Sequence, residues 1–524
     1  MAKQLPDLKF SQLFNISFGF FGVQIAYALQ SANISRIFAT LGADPHSLSF
    51  FWLLPPIMGM IVQPLVGKYS DRTWTRWGRR IPYLFVGALV AILVMCFLPN
   101  AGSLGMSVNT AMIFGAVMLM LLDTSINMAM QPFKMMVGDM VNEKQKTTAY
   151  SIQSFLCNAG SLVGYLFPWL FATFGLSGTA PQGEVPDTVK FAFYIGAAIL
   201  IVCVVYTSLL VKEYAPKEYN EYHPVDEPES SEKEPGFLEL LRKAPSAFWT
   251  VGLVQFFCWA AFMYMWTYTA GSIATVAFDA PTILKEGKVV LDTTSSQYNA
   301  AGDWVGVLFA VQAIGSMLWA VVLPRFKNIK MAYFVSLVLG GIGFISVSFL
   351  SNQYALFASF LLIGAGWAAM LALPFTILTN ALKGGHVGSY LGLFNCTICL
   401  PQIVAAALGG VVLGFFTTPG ELAPEVNMLV LAGVLLLVGS LAVWIIKDKG
   451  IIANTSDIFT IISNNIFSIY NNDIILKNYT PRFEIYNESS CPILKSKFCI
   501  VKLISHNMNI HLSISIFIFN IHNY

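Results

Sequence analysis

Apolar segments long enough to cross a lipid bilayer recur along most of the chain, and they constrain its fold more than any other feature. A helix needs about 20 apolar residues to span the hydrocarbon core, and the 524-residue sequence has room for twelve such segments before residue 450. Hydrophobic residues make up 56% of the chain and charged residues 11%, whereas about 25% charge is usual in soluble domains. The sequence predicts an all-α polytopic membrane protein with twelve transmembrane helices.

The twelve segments fall into two sets of six with a polar stretch between them. That stretch includes the run PVDEPESSEKEP from Pro224 to Pro235, which predicts a solvated tether without chemistry of its own. A Pro-Phe pair occurs in the fourth segment at Pro132 and again in the tenth at Pro374, which indicates two pseudo-symmetric halves. The predicted domains are an N-terminal half, a cytoplasmic linker, a C-terminal half and an atypical tail, at residues 1–211, 212–245, 246–450 and 451–524.

The tail differs in composition from the rest of the chain. No glycine occurs after Gly450, and isoleucine, asparagine, serine, tyrosine, phenylalanine and lysine dominate. AT-rich triplets encode these residues, so the abrupt change favours a non-native read-through or frameshift product, with a disordered extension as the alternative. The stretch Leu512 to Ile521 is too short for a thirteenth span.

Lysine and arginine residues lie mainly in alternate loops, on one side of the predicted bundle. The richest cluster runs from Lys68 to Arg80, and the opposite loops hold few such residues, Lys285 and Lys288 among them. Positive charge in short loops marks the cytoplasmic side of a membrane protein. We therefore predict a multi-pass protein of the cell inner membrane with a cytoplasmic N-terminus.

Several function classes are disfavoured by what the sequence lacks. A net charge of +2 spread over short loops gives no basic stripe for nucleic acid. Neither the G-x-x-x-x-G-K-[ST] loop of ATP-driven proteins nor the H-E-x-x-H motif of zinc enzymes occurs. The cysteines show no zinc or disulfide spacing. We expect a protein that is not an enzyme, needs no cofactor or metal, and acts as a monomer in the bilayer.

The fourth span carries ionisable side chains within an otherwise apolar run. Asp123 and Lys134 lie about 20° apart around the helix at 100° per residue, and Asn127 and Gln131 share their face. We call these four residues the polar stripe. Charged side chains inside a membrane usually face a bundle interior or an aqueous path, so the stripe indicates a transport protein. Asp139 lies off the stripe, near the predicted cytoplasmic end.

The loop after the second span carries the most specific motif, which runs from Gly67 through Asp71-Arg72 to Gly78-Arg79-Arg80. It resembles the major facilitator superfamily signature G-x-x-x-D-R-x-G-R-R in a lengthened form. We expect Gly67 to let helices approach closely, and Asp71 to engage a helix N-terminus or a cation. The resemblance implies a conformational gate made of Gly67, Asp71, Arg72, Gly78, Arg79 and Arg80 together with Asp139.

Two further segments narrow the family. Span one reads Gly22-Val-Gln24-Ile-Ala-Tyr27-Ala-Leu-Gln30, and span four fits D-x-x-x-N-x-x-x-x-P-x-R-x-x-x-x-D with Lys134 in place of the arginine. With the lengthened loop, they resemble the sucrose/proton symporters of the glycoside-pentoside-hexuronide group. The bacterial branch, which includes maltose carriers, is the nearer likeness, because spans seven and eight depart from the plant pattern at Tyr268 and Asp303.

The resemblance implies proton-coupled uptake of a disaccharide by alternating access, with maltose, a related α-glucoside or sucrose as the substrate. The alternatives are a uniporter or sodium symporter of another glycoside, and a sugar sensor with a transporter fold. Asp123 is the predicted coupling carboxylate, because closing a cavity around it would change its affinity for a proton. Lys134 lies roughly 16 Å further along the helix, so we expect it to meet Asp139, another span or the sugar.

A neutral disaccharide is recognised by amides, hydroxyls and aromatic faces rather than by charge alone. Such side chains occur in the first, fourth and seventh spans. The predicted sugar-binding residues are Gln24, Tyr27, Gln30, Asn127, Gln131, Lys134, Trp259 and Tyr268.

Overall fold

The computed structural model describes residues 5–222, 241–285, 287–381, 393–446, 483–485 and 501–503. The chain divides into two compact units, Met1–Ser456 and Asp457–Tyr524. In the second unit the described residues form two short antiparallel strands, Phe483–Ile485 and Val501–Leu503. The rest of the predicted atypical tail lies outside the described residues.

Long apolar helices fill the first unit, and the predicted all-α polytopic fold with twelve transmembrane helices is confirmed. Among the described residues, 12 helical segments are long and apolar enough to cross a membrane. The helices of the N-terminal half are α1 (Phe10–Leu41), α2 (Pro45–Phe51), α3 (Leu54–Arg72), α4 (Ile81–Phe97), α5 (Val108–Met140), α6 (Glu143–Thr173), α7 (Asp187–Leu210) and the short α8 (Pro216–Tyr222).

The C-terminal half repeats this pattern of long helices. Its first two spans are joined by an antiparallel hairpin of two strands, β1 (Thr282–Lys285) and β2 (Lys288–Leu291). Its described helices are α9 (Ser246–Val276), α10 (Ser296–Val322), α11 (Ile329–Ser346), α12 (Leu356–Ala381), α13 (Cys396–Phe416) and α14 (Glu425–Ala442).

Local sequence explains where several helices begin. Ser107, Asn142 and Ser295 stand just before α5, α6 and α10, and each side chain accepts a hydrogen bond from a backbone N–H of the first turn. Pro132 and Pro374 lie inside α5 and α12. Proline is tolerated within membrane helices because neighbouring groups satisfy the freed backbone.

Small residues bring the helices of each half close together. Gly22 of α1 packs against the backbone of Leu200 in α7, and Gly87 of α4 packs against the backbone of α5 at Ala129. Lipid supplies no hydrophobic drive between helices, so close packing at small residues holds such bundles together. The predicted close approach of helices at Gly67 is not observed, because a Cβ there would meet only Met135 Cε, at 4.0 Å.

The two ends of the helix bundle differ. We call the end that holds the loop between α3 and α4 the arginine end, and the end that holds β1 and β2 the hairpin end. Helices α1, α2, α3 and α6 pack across onto α9, α10 and α13. The hydrogen bonds observed between described residues of the two halves lie toward the hairpin end.

Candidate functional site

The polar stripe of α5 becomes more exposed toward the arginine end. Asp123 is 2% exposed, Asn127 and Gln131 are half-buried, and Lys134 is exposed. All four belong to one uninterrupted helix, so the sequence periodicity placed them on a common face as predicted. The stripe therefore leads from the enclosed middle of the N-terminal half to an accessible region near the arginine end.

Asp123 is held by a residue of the first span. Gln30 Nε2 of α1 donates a hydrogen bond of 2.7 Å to Asp123 Oδ1. The second carboxylate oxygen, Oδ2, and the Gln30 Oε1 atom are buried and have no hydrogen-bond partner among the described residues. A buried polar atom without a partner is costly, so this pair is suited to take up a proton and a hydroxyl-bearing ligand.

Asn127 links the stripe to α3. Its amide donates to the Asp123 carbonyl at 2.8 Å, and its Oδ1 accepts a 2.7 Å hydrogen bond from Gln63 Nε2. Amide side chains of three helices thus contact either Asp123 or its neighbour Asn127. The contact of Gln63 with the stripe was not predicted from the sequence.

Lys134 does not pair with either aspartate of its helix. Asp123 is engaged by Gln30, and Asp139 is engaged by two arginines. Of the three alternatives given for Lys134, the contact with Asp139 is not formed in this conformation, and a contact with another span is present. The thiol of Cys157 in α6 lies close enough to interact with Lys134 electrostatically, and neither Lys134 nor Gln131 has a side-chain hydrogen bond to another described residue.

The other predicted sugar-binding residues lie at different depths. Gln24 is buried, with its Oε1 accepting from Ser161 of α6 at 3.4 Å, and Tyr27 is half-buried one turn from Gln30. Trp259 of α9 is 7% exposed, packs edge to face on Trp367 at 5.8 Å, and has an enclosed indole nitrogen without a described partner. These residues retain free polar atoms or partly accessible rings.

Tyr268 is set apart from this group. It is fully buried, with its hydroxyl beside Gly409 of α13 and Ser49 of α2. It therefore fills the contact between the halves near the hairpin end. The structure does not bring it next to the polar stripe.

The arginine end carries a compact charge network within the N-terminal half. Arg80 forms ion pairs with Asp71 at 2.6 Å and with Asp139 at 2.9 Å. Arg79 reaches Asp139 at 2.8 Å and Asp71 at 3.9 Å, and its guanidinium lies 3.9 Å from the ring centre of Tyr219. The expected meeting of Asp71 with a cation is thus observed, and Arg72 is exposed.

Gly78 and Glu213 explain the shape of this loop. Gly78 has φ of +111°, where a side chain would be strained, and a Cβ there would meet the Glu213 carboxylate at 2.5 Å. That carboxylate accepts backbone N–H groups of Arg79, Arg80 and Ile81 at 2.8–3.1 Å, at the start of α4. Burial raises the pKa of Glu213, and these hydrogen bonds oppose the rise.

The predicted tether without chemistry is wrong for its first residues. Glu213 and Tyr219 both lie in the predicted linker, and both contact the arginine loop. Residues 223–240 of the linker lie outside the described residues. A carboxylate directly after a span that ends at the arginine end is a signal that could have identified Glu213.

An ion pair that was not predicted from the sequence joins the two halves. Arg36 of α1 donates to Asp303 Oδ1 of α10 at 2.6 Å and to Asn299 Oδ1 at 3.0 Å. The two side chains of the pair are 1% and 6% exposed. Gly302 leaves room for it, since a Cβ there would lie 2.6 Å from Arg36 Cδ as the side chain is placed. The ionisable residue inside span one was the available signal.

Similarity to known proteins agrees with this architecture. Residues 17–283 match the family described as MFS/sugar transport protein. Sucrose transport protein SUT1 of Oryza sativa subsp. japonica is 26% identical over 440 residues, which cover 74% of this chain and 80% of that protein. Proton-associated sugar transporter A of Homo sapiens is 26% identical over 168 residues, which cover 31% of this chain and 22% of that protein.

Solved structures share the fold. The nucleoside transporter NupG superposes with a TM-score of 0.59 at 13% identity, covering 84% of this chain and 99% of that chain. A bacterial homolog of the human lysosomal transporter Spinster superposes with a TM-score of 0.57 at 14% identity, covering 83% and 96% of the two chains. At these identities the likeness establishes the fold alone.

Proposed function

The chain belongs to the MFS/sugar transport protein family, and from that premise we propose that it couples the uptake of a disaccharide to the movement of a proton. The proposed substrate is maltose, a related α-glucoside or sucrose. The protein acts as a monomer in the cell inner membrane, with its N-terminus and its arginine end in the cytoplasm. Transport proceeds by alternating access, in which the two halves rock around a site between them.

The observation that carries the proposal is the half-satisfied carboxylate of Asp123. Its Oδ1 accepts from Gln30, and its Oδ2 is buried without a partner among the described residues. An unpaired negative charge inside a membrane bundle is costly, so binding of a proton at Oδ2 removes that cost by neutralising the carboxylate. Release of the proton becomes favourable when the site opens to water, which is the requirement for coupling.

The sugar is proposed to bind between α1, α5 and α9. Successive turns of α1 carry Gln24, Tyr27 and Gln30. The polar stripe of α5 contributes Asn127, Gln131 and Lys134. Trp259 of α9 supplies an aromatic face with a free indole nitrogen, a combination suited to a sugar ring. Because Gln30 contacts Asp123 directly, a sugar hydroxyl that takes over Gln30 also changes the surroundings of the coupling carboxylate.

The conformation favours a cycle in which the hairpin end is closed and the arginine end is open. Between described residues, the hydrogen bonds that join the halves lie toward the hairpin end, and the stripe is accessible toward the arginine end. The network of Arg79, Arg80 and Asp139, already formed within the N-terminal half, is proposed as the gate that docks against the C-terminal half when the arginine end closes.

Uptake into proteoliposomes tests the proposal. Labelled maltose and labelled sucrose are offered under an inward pH gradient, with and without a protonophore, to wild type and to Asp123→Asn. Asp187→Asn, at the first turn of α7, is the matched control. We expect wild type and the control to accumulate one sugar above equilibrium, and we expect both protonophore and Asp123→Asn to reduce this to equilibration.

Three results would contradict the proposal in distinct ways. Accumulation that follows a sodium gradient and ignores protonophore would make the protein a sodium symporter. Equilibration of the sugar by wild type irrespective of any gradient would make it a uniporter. Unchanged accumulation in Asp123→Asn would remove the coupling role from that residue while leaving transport intact.

A further inference from the structure

A cavity of about 410 Å³ lies at the hairpin end, apart from the polar stripe. Both halves contribute to its wall, through Thr40 and Asp44 on one side and through Tyr298 and Glu425 on the other. Its volume falls within the range of about 300–1,000 Å³ that is usual for small-molecule sites. Nothing in the proposed transport cycle so far uses this space.

Two buried polar groups face this cavity without a partner. Thr40 of α1 is 5% exposed and Glu425 of α14 is 6% exposed. The Oγ1 atom of Thr40 and the Oε2 atom of Glu425 are enclosed and have no hydrogen-bond partner among the described residues. Since buried polar groups in folded proteins are almost always paired, the two orphaned atoms on walls from different halves are groups to which a polar ligand can bind.

The fold makes room for the Glu425 carboxylate. It packs against Gly271 of α9, where a Cβ would overlap with both carboxylate oxygens. Gly271 lines the same cavity. The carboxylate is thus seated in a cradle that only glycine leaves open, which distinguishes it from an acidic side chain buried by chance.

The charges around the cavity favour a neutral ligand. Lys288 is paired with Asp44 at 2.6 Å, and Lys285 lines the same cavity as Glu425. The lining thus holds two carboxylates and two ammonium groups, so its formal charges balance. A metal cation would be repelled by Lys285 and Lys288. A polyhydroxylated molecule can donate a hydrogen bond to the Glu425 carboxylate, and it can donate a hydrogen bond to the Thr40 hydroxyl or accept one from it.

We propose that the hairpin-end cavity is a second carbohydrate site, in which a sugar hydroxyl donates to Glu425 and another hydroxyl pairs with Thr40. The identity of the ligand as a sugar rests on the proposed function. Because Thr40 and Glu425 belong to different halves, a sugar bound here holds the hairpin end closed. External sugar at high concentration therefore slows the return of the carrier to its outward-open state.

The first test counts bound sugars. Titration calorimetry of the purified full chain with the transported sugar should give two sites for wild type and one for Glu425→Gln and Thr40→Val. Glu421→Gln, an exposed acid near Glu425, and Thr275→Val, whose hydroxyl bonds within its own helix, are the matched controls and should keep two sites. In uptake assays the wild-type uptake rate should decrease at high external sugar concentration. The two cavity variants should show no such decrease, and their KM should be unchanged.

A second measurement does not depend on the folding of the Glu425 variant. Lys285→Cys places a thiol at the rim of the cavity, and sugar should slow its modification by a methanethiosulfonate reagent at least threefold. One bound sugar in wild type and in both variants, together with an unprotected thiol, would mean that the cavity holds water only and would overturn the proposal. No bound sugar in wild type would instead remove the proposed function itself.

Discussion

Both ends of the helix bundle carry arginine–aspartate pairs, but the pairs connect different parts of the molecule. At the hairpin end, Arg36 and Asp303 join the two halves and are almost fully buried. At the arginine end, Arg79 and Arg80 join Asp71 and Asp139 inside the N-terminal half. The first pair can exist only while the halves are together, whereas the second survives their separation.

The difference indicates which interactions must break during transport. Separating the halves at the hairpin end leaves Arg36 and Asp303 to be solvated individually, and water entering the gap supplies that solvation. The arginine-end network needs no such exchange, so it can act as a preassembled docking surface. We therefore expect changes at the hairpin end to shift the conformational balance, and changes that break the arginine-end network to lower the stability of the N-terminal half.

The largest effect is expected from Arg36→Ala. Removing one partner leaves Asp303 buried and uncompensated, which costs about 3–5 kcal/mol, and this cost applies only to the state that is closed at the hairpin end. Distances between spin labels at Ser103 and Thr418, both exposed at that end, should therefore lengthen. The double variant Arg36→Ala/Asp303→Ala removes both charges and should recover much of the closed distance. Equal lengthening in both variants would show that the charge pair is not the cause.

Glu213→Ala should have a smaller effect, confined to the arginine end. It removes the acceptor of three backbone N–H groups at the start of α4, which costs about 1–3 kcal/mol, so thermal unfolding should begin at a lower temperature. The hairpin-end distance should not change. Glu218→Ala, an exposed acid in α8, is the control and should melt like wild type.

The same carboxylate gives a pH dependence. Because burial raises the pKa of Glu213 in the folded protein above its ordinary value of 4.5, its protonated form contributes stability below that value. This contribution is lost as the pH rises through the raised pKa. The difference in melting temperature between wild type and Glu213→Ala should shrink over that interval, and a difference that widens would contradict the assignment.

The smallest effect is expected from Asp44→Asn. Burial raises the pKa of this carboxyl, but hydrogen bonds from Lys288 and His46 outweigh it and lower the pKa below 3.8. The partly exposed pair with Lys288 contributes less than about 1 kcal/mol. This stability is present above the ordinary pKa and is lost as the pH falls through the lowered one. At neutral pH the distribution of hairpin-end distances should be slightly broader in the variant than in wild type. The two distributions should become alike as acid protonates Asp44 in wild type.

Much of the fold could be predicted from the sequence because each membrane span is a long run of apolar residues. The stripe of Asp123, Asn127 and Lys134 was also predictable, since three positions on one helix are related by a fixed angle of 100° per residue. The same local logic gave the meeting of the arginine loop with Asp71, which lies only a few residues away.

Contacts between distant segments could not be predicted in this way. Arg36 and Asp303 are separated by 267 residues, and no pattern in a single sequence reports that two helices of different halves cross there. Gly67 shows the opposite error, because a motif position was given a packing role that the surrounding helices do not require. Glu425 was missed because a carboxylate at the start of a span is ordinary in sequence, and only its cradle at Gly271 makes it unusual.

Paired distance measurements at the two ends test whether the protein works by proton-coupled alternating access. In a background without the eight native cysteines, spin labels at Ser103 and Thr418 report on the hairpin end, and labels at Lys68 and Lys327 report on the arginine end. In lipid nanodiscs at acidic pH, adding the transported sugar near its KM, below the concentration at which the hairpin-end cavity fills, should lengthen the first distance and shorten the second, and Asp123→Asn should abolish the dependence on pH. Two distances that change in the same direction, or that ignore sugar and pH together, would contradict proton-coupled alternating access.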